Sequence, residues 1–270
     1  MQANKFSQFL QTIVWCTLSF GATTQIVVAQ SEHIEVVTES TPFTVVGSSP
    51  GQGGEATLFV ESVLERASIP HTTNFIPWKR AYQKALNQEN VLVYPIAKTK
   101  ARENNFHWVG KITPIRYFLF GLSERSDIRL TELEQAKQFA LGVVNKHAHH
   151  EYLSSRGFDD FELVNSSAQN LRKLLLGRIE LFPLSSSGLT PLCVEVRVDC
   201  SAIEPKLKLD DFSDGLYMAF SKNTAPEIIE RVRQAYLLAQ SDPKFKDLFK
   251  PRDRDAAEVE QQYQRVLQLN

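Results

Sequence analysis

Hydrophobic and polar positions vary along the chain in a pattern that predicts strands and helices in turn. In the first third of the chain, short β-branched runs and helical stripes follow one another. The predicted order is a strand at 34–38, a helix at 55–67, a strand at 75–76, a helix at 78–87 and a strand at 91–94. Because β-α-β units connect parallel strands, this order predicts a parallel sheet with helices packed on it.

The same alternation returns in the middle of the chain. It predicts strands at 139–144, 161–164 and 179–182, with helices at 149–155 and after the capping residue Ser166. The chain therefore contains a second α/β unit with the same kind of pattern.

Two apolar runs, at 111–121 and 215–221, are long enough to cross between these units, and a long helix at 225–240 follows the second run. We therefore predict an α/β fold with two lobes joined by two crossing strands. The first lobe is expected to contain 30–116 and 218–270, and the second lobe 117–217. Open α/β sheets bind ligands beyond the carboxyl ends of their strands, so both lobes are expected to line one cleft.

Charge and composition exclude one class of partner. The 270 residues carry a formal net charge of −1, and the 23% of charged residues is ordinary for a globular protein. Without a basic excess, the sequence does not predict nucleic-acid binding.

The N-terminus has the pattern of an export sequence. Lys5 is the single charged residue in 1–29, an apolar stretch follows, and small residues stand at the −3 and −1 positions before a cut after Ala29. We predict that 1–29 is a cleaved signal peptide and that the mature protein is periplasmic. The alternative is an N-terminal membrane anchor, which the polar residues within the stretch disfavour. Trp15 before Cys16 disfavours a lipid anchor.

After such cleavage, Cys193 and Cys200 are the remaining cysteines. In an oxidising compartment, two cysteines this close in sequence are predicted to form a disulfide. Two cysteines alone do not predict a zinc site.

The run PWKRAYQKALNQENVLVYPIAKTKAREN at 77–104, together with GRIEL at 177–181, resembles the family-3 periplasmic solute-binding proteins. The resemblance is to a divergent branch with Pro-Trp-x-Arg-Ala and Lys-Thr-x-x-Arg motifs, and it covers residues 34–249. It implies a two-lobed clamp of type II that closes around a small solute, without catalysis, and delivers it to an inner-membrane ABC permease.

The resemblance also implies a ligand site. Arg102 matches the family's carboxylate-binding arginine, since its guanidinium offers a planar fork to a carboxylate, and Thr99 is expected to cap the adjoining turn. The alternative is a solvated basic turn. Phe43 matches a ligand-covering aromatic residue. Ser185 stands near the position where amino-acid binders carry an acidic residue for the ligand's ammonium, so a carboxylate or other anionic solute is favoured over a zwitterion.

Five further residues are candidates for the cleft. Trp78 either stacks on a ligand or packs between helix and sheet, and Arg80 shares its helical turn. Glu39 follows the first strand. Tyr94 points either to the core or to the cleft. His147 stands where the family contacts the ligand carboxylate, and in a cationic form it would assist there.

Two other functions remain open at this stage. The fold also serves as a ligand-sensing module for membrane kinases or cyclases. It also serves as a periplasmic dehydratase of cyclic acids, for which Glu39 and Glu180 are the candidate acid/base groups. The histidines at 147–150 lack an evident third ligand, so no metal is expected. We expect a monomer without a cofactor.

Overall fold

The computed structural model describes residues 33–41, 43–45, 53–250 and 255–268. The predicted signal peptide at 1–29 lies outside these residues. All described residues belong to one compact unit, Glu32–Asn270. Within the described ranges, no helix combines the length and the apolar character needed to cross a membrane.

Ten strands and seven helices form the described fold. The strands are β1 (Ile34–Thr38), β2 (His71–Phe75), β3 (Val91–Ala97), β4 (Phe106–Pro114), β5 (Tyr117–Leu122), β6 (Gly142–Val144), β7 (Glu162–Val164), β8 (Phe182–Ser185), β9 (Ile203–Lys208) and β10 (Gly215–Ser221). The helices are α1 (Glu55–Arg66), α2 (Trp78–Asn87), α3 (Ala148–Ser155), α4 (Ser167–Leu175), α5 (Leu189–Val196), α6 (Pro226–Gln240) and α7 (Asp255–Gln268).

The first lobe is built on a five-stranded sheet in the order β2-β1-β3-β10-β4. Strand β1 runs parallel to β2 and β3, as the β-α-β-α-β pattern predicts. Strand β10 pairs antiparallel with β3 and β4, so the sheet as a whole is mixed. One core cluster contains the apolar faces of α1 and α6, and a second contains the apolar face of α2. These clusters hold the carboxyl ends of the parallel strands β1, β2 and β3 at one edge of the sheet.

The second lobe contains two small sheets. Strands β8, β5 and β9 form an antiparallel sheet, while β6 and β7 form a parallel pair. An isolated bridge between Leu141 and Leu181 connects the two sheets. Helices α3 and α4 follow β6 and β7, so their first turns lie at the carboxyl ends of those strands.

The chain passes between the lobes twice, at 115–116 and at 209–214. The last helix corrects the predicted lobe boundary, because α7 packs on the second lobe. Its Val259 and Tyr263 belong to the core cluster of β5 and β8, and the Tyr263 ring contacts Phe118 edge-on. The apolar spacing of α7 predicted a buried face but not the lobe that receives it.

Cys193 and Cys200 form a disulfide that joins α5 to the turn before β9. The bridge closes a loop with a sequence separation of 7, and it therefore restrains this corner of the second lobe. Neither sulfur lines the cleft described below.

We expect replacement of both cysteines by serine to lower the free energy of unfolding by about 2–3 kcal/mol, because the unfolded chain gains the entropy of a small open loop. Urea denaturation of the variant and of the wild type, each with and without reductant, measures this. Reductant is expected to move the midpoint of the wild type alone. A wild-type midpoint that does not respond to full reduction contradicts the prediction.

Candidate functional site

A cleft lies between the lobes where the carboxyl ends of the strands face each other. Its inner compartment has a volume of about 290 Å³, and its outer compartment about 1010 Å³. The two compartments share Glu39, Trp78 and His147 in their walls, so they are neighbouring parts of one cleft.

Both lobes contribute to the inner compartment. The first lobe provides Glu39, Thr41, Phe43, Trp78, Pro95, Ala97, Arg102 and Leu216, and the second lobe provides Tyr117, His147, Ala148, His149, Ser167, Leu184, Ser185 and Phe212. The walls combine aromatic rings with a few ionisable groups, which is typical of small-molecule sites.

Arg102 is the most deeply buried charged side chain of this wall, with 1% of the residue exposed. Its guanidinium lies 4.6 Å from the ring centre of Tyr82 in a cation–π contact. Its Nε and Nη2 donate to one oxygen, Oε2 of Glu151, at 3.0 and 2.9 Å. Arg102 follows β3 in the first lobe and Glu151 lies on α3 in the second, so this ion pair spans the cleft. The alternative of a solvated basic turn is therefore wrong for Arg102.

The loop after β1 forms a second part of the inner wall. The Thr44 hydroxyl donates to the Glu39 carbonyl oxygen at 2.5 Å and accepts from the Thr41 amide at 2.8 Å. A Cβ at Gly54 would lie 2.6 Å from the Phe43 carbonyl oxygen, so close packing requires glycine there. These contacts hold Phe43 and Glu39 against the cavity, where burial raises the pKa of the Glu39 carboxyl.

Two histidines of the second lobe form a neutral pair in the same wall. The Nδ1 atoms of His147 and His149 are 3.2 Å apart, so one ring donates to the other. The His149 ring stacks on Phe212 with ring centres 4.6 Å apart. Burial, together with the Arg102 charge, lowers the pKa of His147 to about 4, and burial also holds the pKa of His149 well below its usual value. The site therefore favours the uncharged ring of His147, which does not support the assistance that a cationic form would give.

This lowered pKa predicts a pH dependence of stability. Between pH 6.5 and about 4, the unfolded state binds a proton at His147 that the folded state does not, so stability falls as the pH falls. From pH 7 to pH 5, we expect the wild type to lose roughly 1–2 kcal/mol more than His147→Asn, which cannot take up this proton. Urea denaturation at both pH values tests this. A His147 ring that titrates near 6.5 in NMR spectra would contradict it.

The remaining predicted site residues divide into two groups. Trp78 and Ser185 line the inner compartment together with Glu39, Phe43, Arg102 and His147. Tyr94, Thr99 and Arg80 do not belong to the wall of either compartment.

Each of these three has a physical reason for its position. Tyr94 is fully buried on the α1 side of the sheet, and its hydroxyl lies 2.8 Å from the Thr57 hydroxyl. The Thr99 side chain caps no helix: its buried hydroxyl has no hydrogen-bond partner among the described residues, and the turn is closed by the Arg102 amide on the Thr99 carbonyl oxygen. Arg80 lies on the exposed face of α2.

Sequence reasoning missed several wall residues and did not identify Glu151 as the partner of Arg102. Tyr117 begins β5, Phe212 lies in the segment between β9 and β10, and His149 lies on the buried face of α3. Tyr82 has the spacing of a core residue, and Glu151 that of a solvent-facing helix residue. Glu180 lies outside both compartments and pairs with Arg125 at 2.9 Å. Among the described residues, no group of three His, Cys, Asp or Glu side chains forms a metal site.

Comparison with known proteins identifies the fold. No family model matches the chain, and no curated protein matches it. Among solved structures, a histidine kinase sensor domain with similarity to periplasmic binding proteins matches with a TM-score of 0.67 and 15% identity, covering 82% of this chain and 100% of that chain. An ancestral arginine-binding protein bound to arginine matches with a TM-score of 0.62 and 12% identity, covering 80% of this chain and 96% of that one.

An arginine-, lysine-, histidine-binding protein from Geobacillus stearothermophilus matches with a TM-score of 0.62 and 14% identity, covering 80% and 93% of the two chains. At these identities the similarity establishes the architecture alone. The chain therefore has the two-lobed α/β fold of periplasmic binding proteins.

Proposed function

We propose that this protein binds a small, carboxylate-bearing solute in the cleft between its lobes, with Arg102 as the anchor for the carboxylate. The observation that carries the proposal is the guanidinium itself. It is almost fully buried and stacked on Tyr82, and Arg102 lines a cavity to which both lobes contribute. A preorganised guanidinium in a low-dielectric site is well suited to a charged, bidentate hydrogen bond.

The walls also support capture by lobe closure. Trp78 and Phe43 approach the cavity from the first lobe, and Tyr117 and Phe212 from the second-lobe side. A solute that contacts both sets binds the closed state more tightly than the open state, and this difference in affinity shifts the equilibrium to closure. The inner volume of about 290 Å³ suits an amino acid or an organic acid of similar size.

In this proposal the mature protein acts in the periplasm after cleavage of 1–29, and it passes its solute to an inner-membrane ABC permease. The pattern of the N-terminal residues and the disulfide between Cys193 and Cys200 support an exported protein.

A second function is favoured by one comparison. The histidine kinase sensor domain is matched over its whole length, which supports ligand sensing for a membrane signalling partner. A deletion strain separates the two functions. Loss of uptake of the radiolabelled solute supports transport, whereas normal uptake with a lost transcriptional response to the solute supports sensing.

Solute binding is tested by a thermal-shift screen of the mature protein against amino acids, including arginine and glutamine, and against organic acids and short peptides. A solute at a hundredfold excess over its dissociation constant is expected to add ~2.7 kcal/mol to the free energy of unfolding. Each carboxylate hit is repeated with the corresponding amide, which should bind more weakly. A complete absence of stabilisation across the screen contradicts the proposal.

A further inference from the structure

The guanidinium that the proposed function assigns to a solute already holds a carboxylate. Two of its N–H groups, on Nε and Nη2, converge on Oε2 of Glu151 at 3.0 and 2.9 Å. Glu151 comes from the opposite lobe, where it lies in the first turn of α3. The protein thus places its own carboxylate where a solute carboxylate is expected.

The surroundings of this pair make it different from an exposed surface ion pair. The Arg102 side chain is 2% exposed and the Glu151 side chain 34% exposed, so one charge is almost completely desolvated. Removing one partner of such a pair leaves the other charge buried and uncompensated, which is strongly unfavourable. Burial lowers the pKa values of the neighbouring His147 and His149, which favours their uncharged rings, so neither competes strongly with Arg102 for Glu151.

Opening the cleft would separate these two groups. Arg102 is fixed to the first lobe through the turn after β3 and its contact with Tyr82, and Glu151 is fixed to α3. Any rigid-body motion that parts the lobes at this point breaks both hydrogen bonds at once. The pair therefore favours the closed arrangement even without a solute.

We propose that Glu151 is an internal ligand of Arg102 that holds the unliganded cleft closed and sets its specificity. A carboxylate-bearing solute binds Arg102 only by displacing Glu151, whereas a solute without a carboxylate enters the cavity with the pair intact. The claim that Glu151 sets specificity rests on the proposed function, whereas the claim that the unliganded cleft is closed does not. If the pair is intact in about 99% of molecules, the apparent affinity for a carboxylate is lowered ~100-fold.

Small-angle X-ray scattering of the mature protein without any added solute tests the closed state. The samples are the wild type, Glu151→Gln, Arg102→Gln and the control Glu134→Gln. The control removes the same charge from an exposed second-lobe pair with Lys137 and leaves the cleft unchanged. We expect the wild type and Glu134→Gln to match the scattering calculated from this structure, and both cleft variants to have a larger radius of gyration.

Two outcomes overturn the proposal: an open wild type, which needs no variant to detect, or a folded Glu151→Gln protein as compact as the wild type. Solutes are absent from the scattering experiment. A failed solute screen therefore does not contradict the closed unliganded state, and an open wild type does not contradict solute binding.

For carboxylate hits from the screen, Glu151→Gln is expected to bind ~10-fold or more tightly than the wild type, with no gain for the matched amides. Equal gains for acids and amides overturn the claim that Glu151 sets specificity.

Discussion

Replacing Arg102 by glutamine is expected to weaken the binding of a carboxylate-bearing solute by ~10–100-fold, because a charged bidentate hydrogen bond contributes about 1.5–3 kcal/mol. Glutamine keeps a polar group at the site but removes the charge and the planar fork. Arg102→Lys is expected to recover only part of the loss, since an ammonium group cannot make two parallel hydrogen bonds in the same plane. Isothermal titration calorimetry with the best solute from the screen measures both variants.

The matched control is Arg66→Gln. Arg66 forms an ion pair with Asp242 at 2.5 Å on the first lobe and lies outside both compartments of the cleft. This variant loses the same charge and also breaks an arginine–carboxylate pair, but its affinity for the solute should equal that of the wild type. If Arg102→Gln binds the carboxylate as tightly as this control does, Arg102 is not the anchor. The opposite signs expected for Arg102→Gln and Glu151→Gln also exclude a general loss of folding as the explanation.

Local patterns were sufficient for elements that have a β-branched run or a clear helical spacing of apolar residues. The runs that predicted β1 and α2 coincide with the observed bounds Ile34–Thr38 and Trp78–Asn87. The polar strand β2, at His71–Phe75, was placed too late because it is an edge strand whose side chains are only partly buried. The apolar run predicts that β3 ends at Tyr94, although the strand continues to Ala97. Pro95 is compatible with the strand because the pairing of β3 with β10 shifts register at this point.

The candidate site was harder to predict than the fold, for a physical reason. The resemblance to solute-binding proteins indicated Arg102, but its partner Glu151 is 49 residues away on another lobe. A glutamate on an amphipathic helix has no sequence feature that distinguishes a cross-lobe partner from a solvated residue. Tyr94 was ambiguous for a similar reason, since β3 is buried on both faces and the alternation of side chains gives no direction.

Replacing Phe59 by alanine is expected to lower the free energy of unfolding by ~3–5 kcal/mol, because a fully buried phenylalanine leaves a large cavity that the surroundings fill only in part. The helical spacing of α1 predicts this residue in the core. The structure adds three edge-on contacts, with ring centres 5.7 Å from Tyr236, 5.1 Å from Phe245 and 5.2 Å from Phe249. Phe59 therefore connects α1 to α6 and to the segment that follows it.

The neighbouring residue provides a control on the same helix. Leu58 is 55% exposed, so Leu58→Ala should change stability by no more than about 0.5 kcal/mol. Phe59→Leu should lie between the two alanine variants, since leucine fills much of the volume but cannot reproduce the aromatic contacts. Urea denaturation followed by circular dichroism gives all three values. A Phe59→Ala protein within about 1 kcal/mol of Leu58→Ala would contradict the expected role of this ring cluster in joining α1 to α6 and to the segment after it.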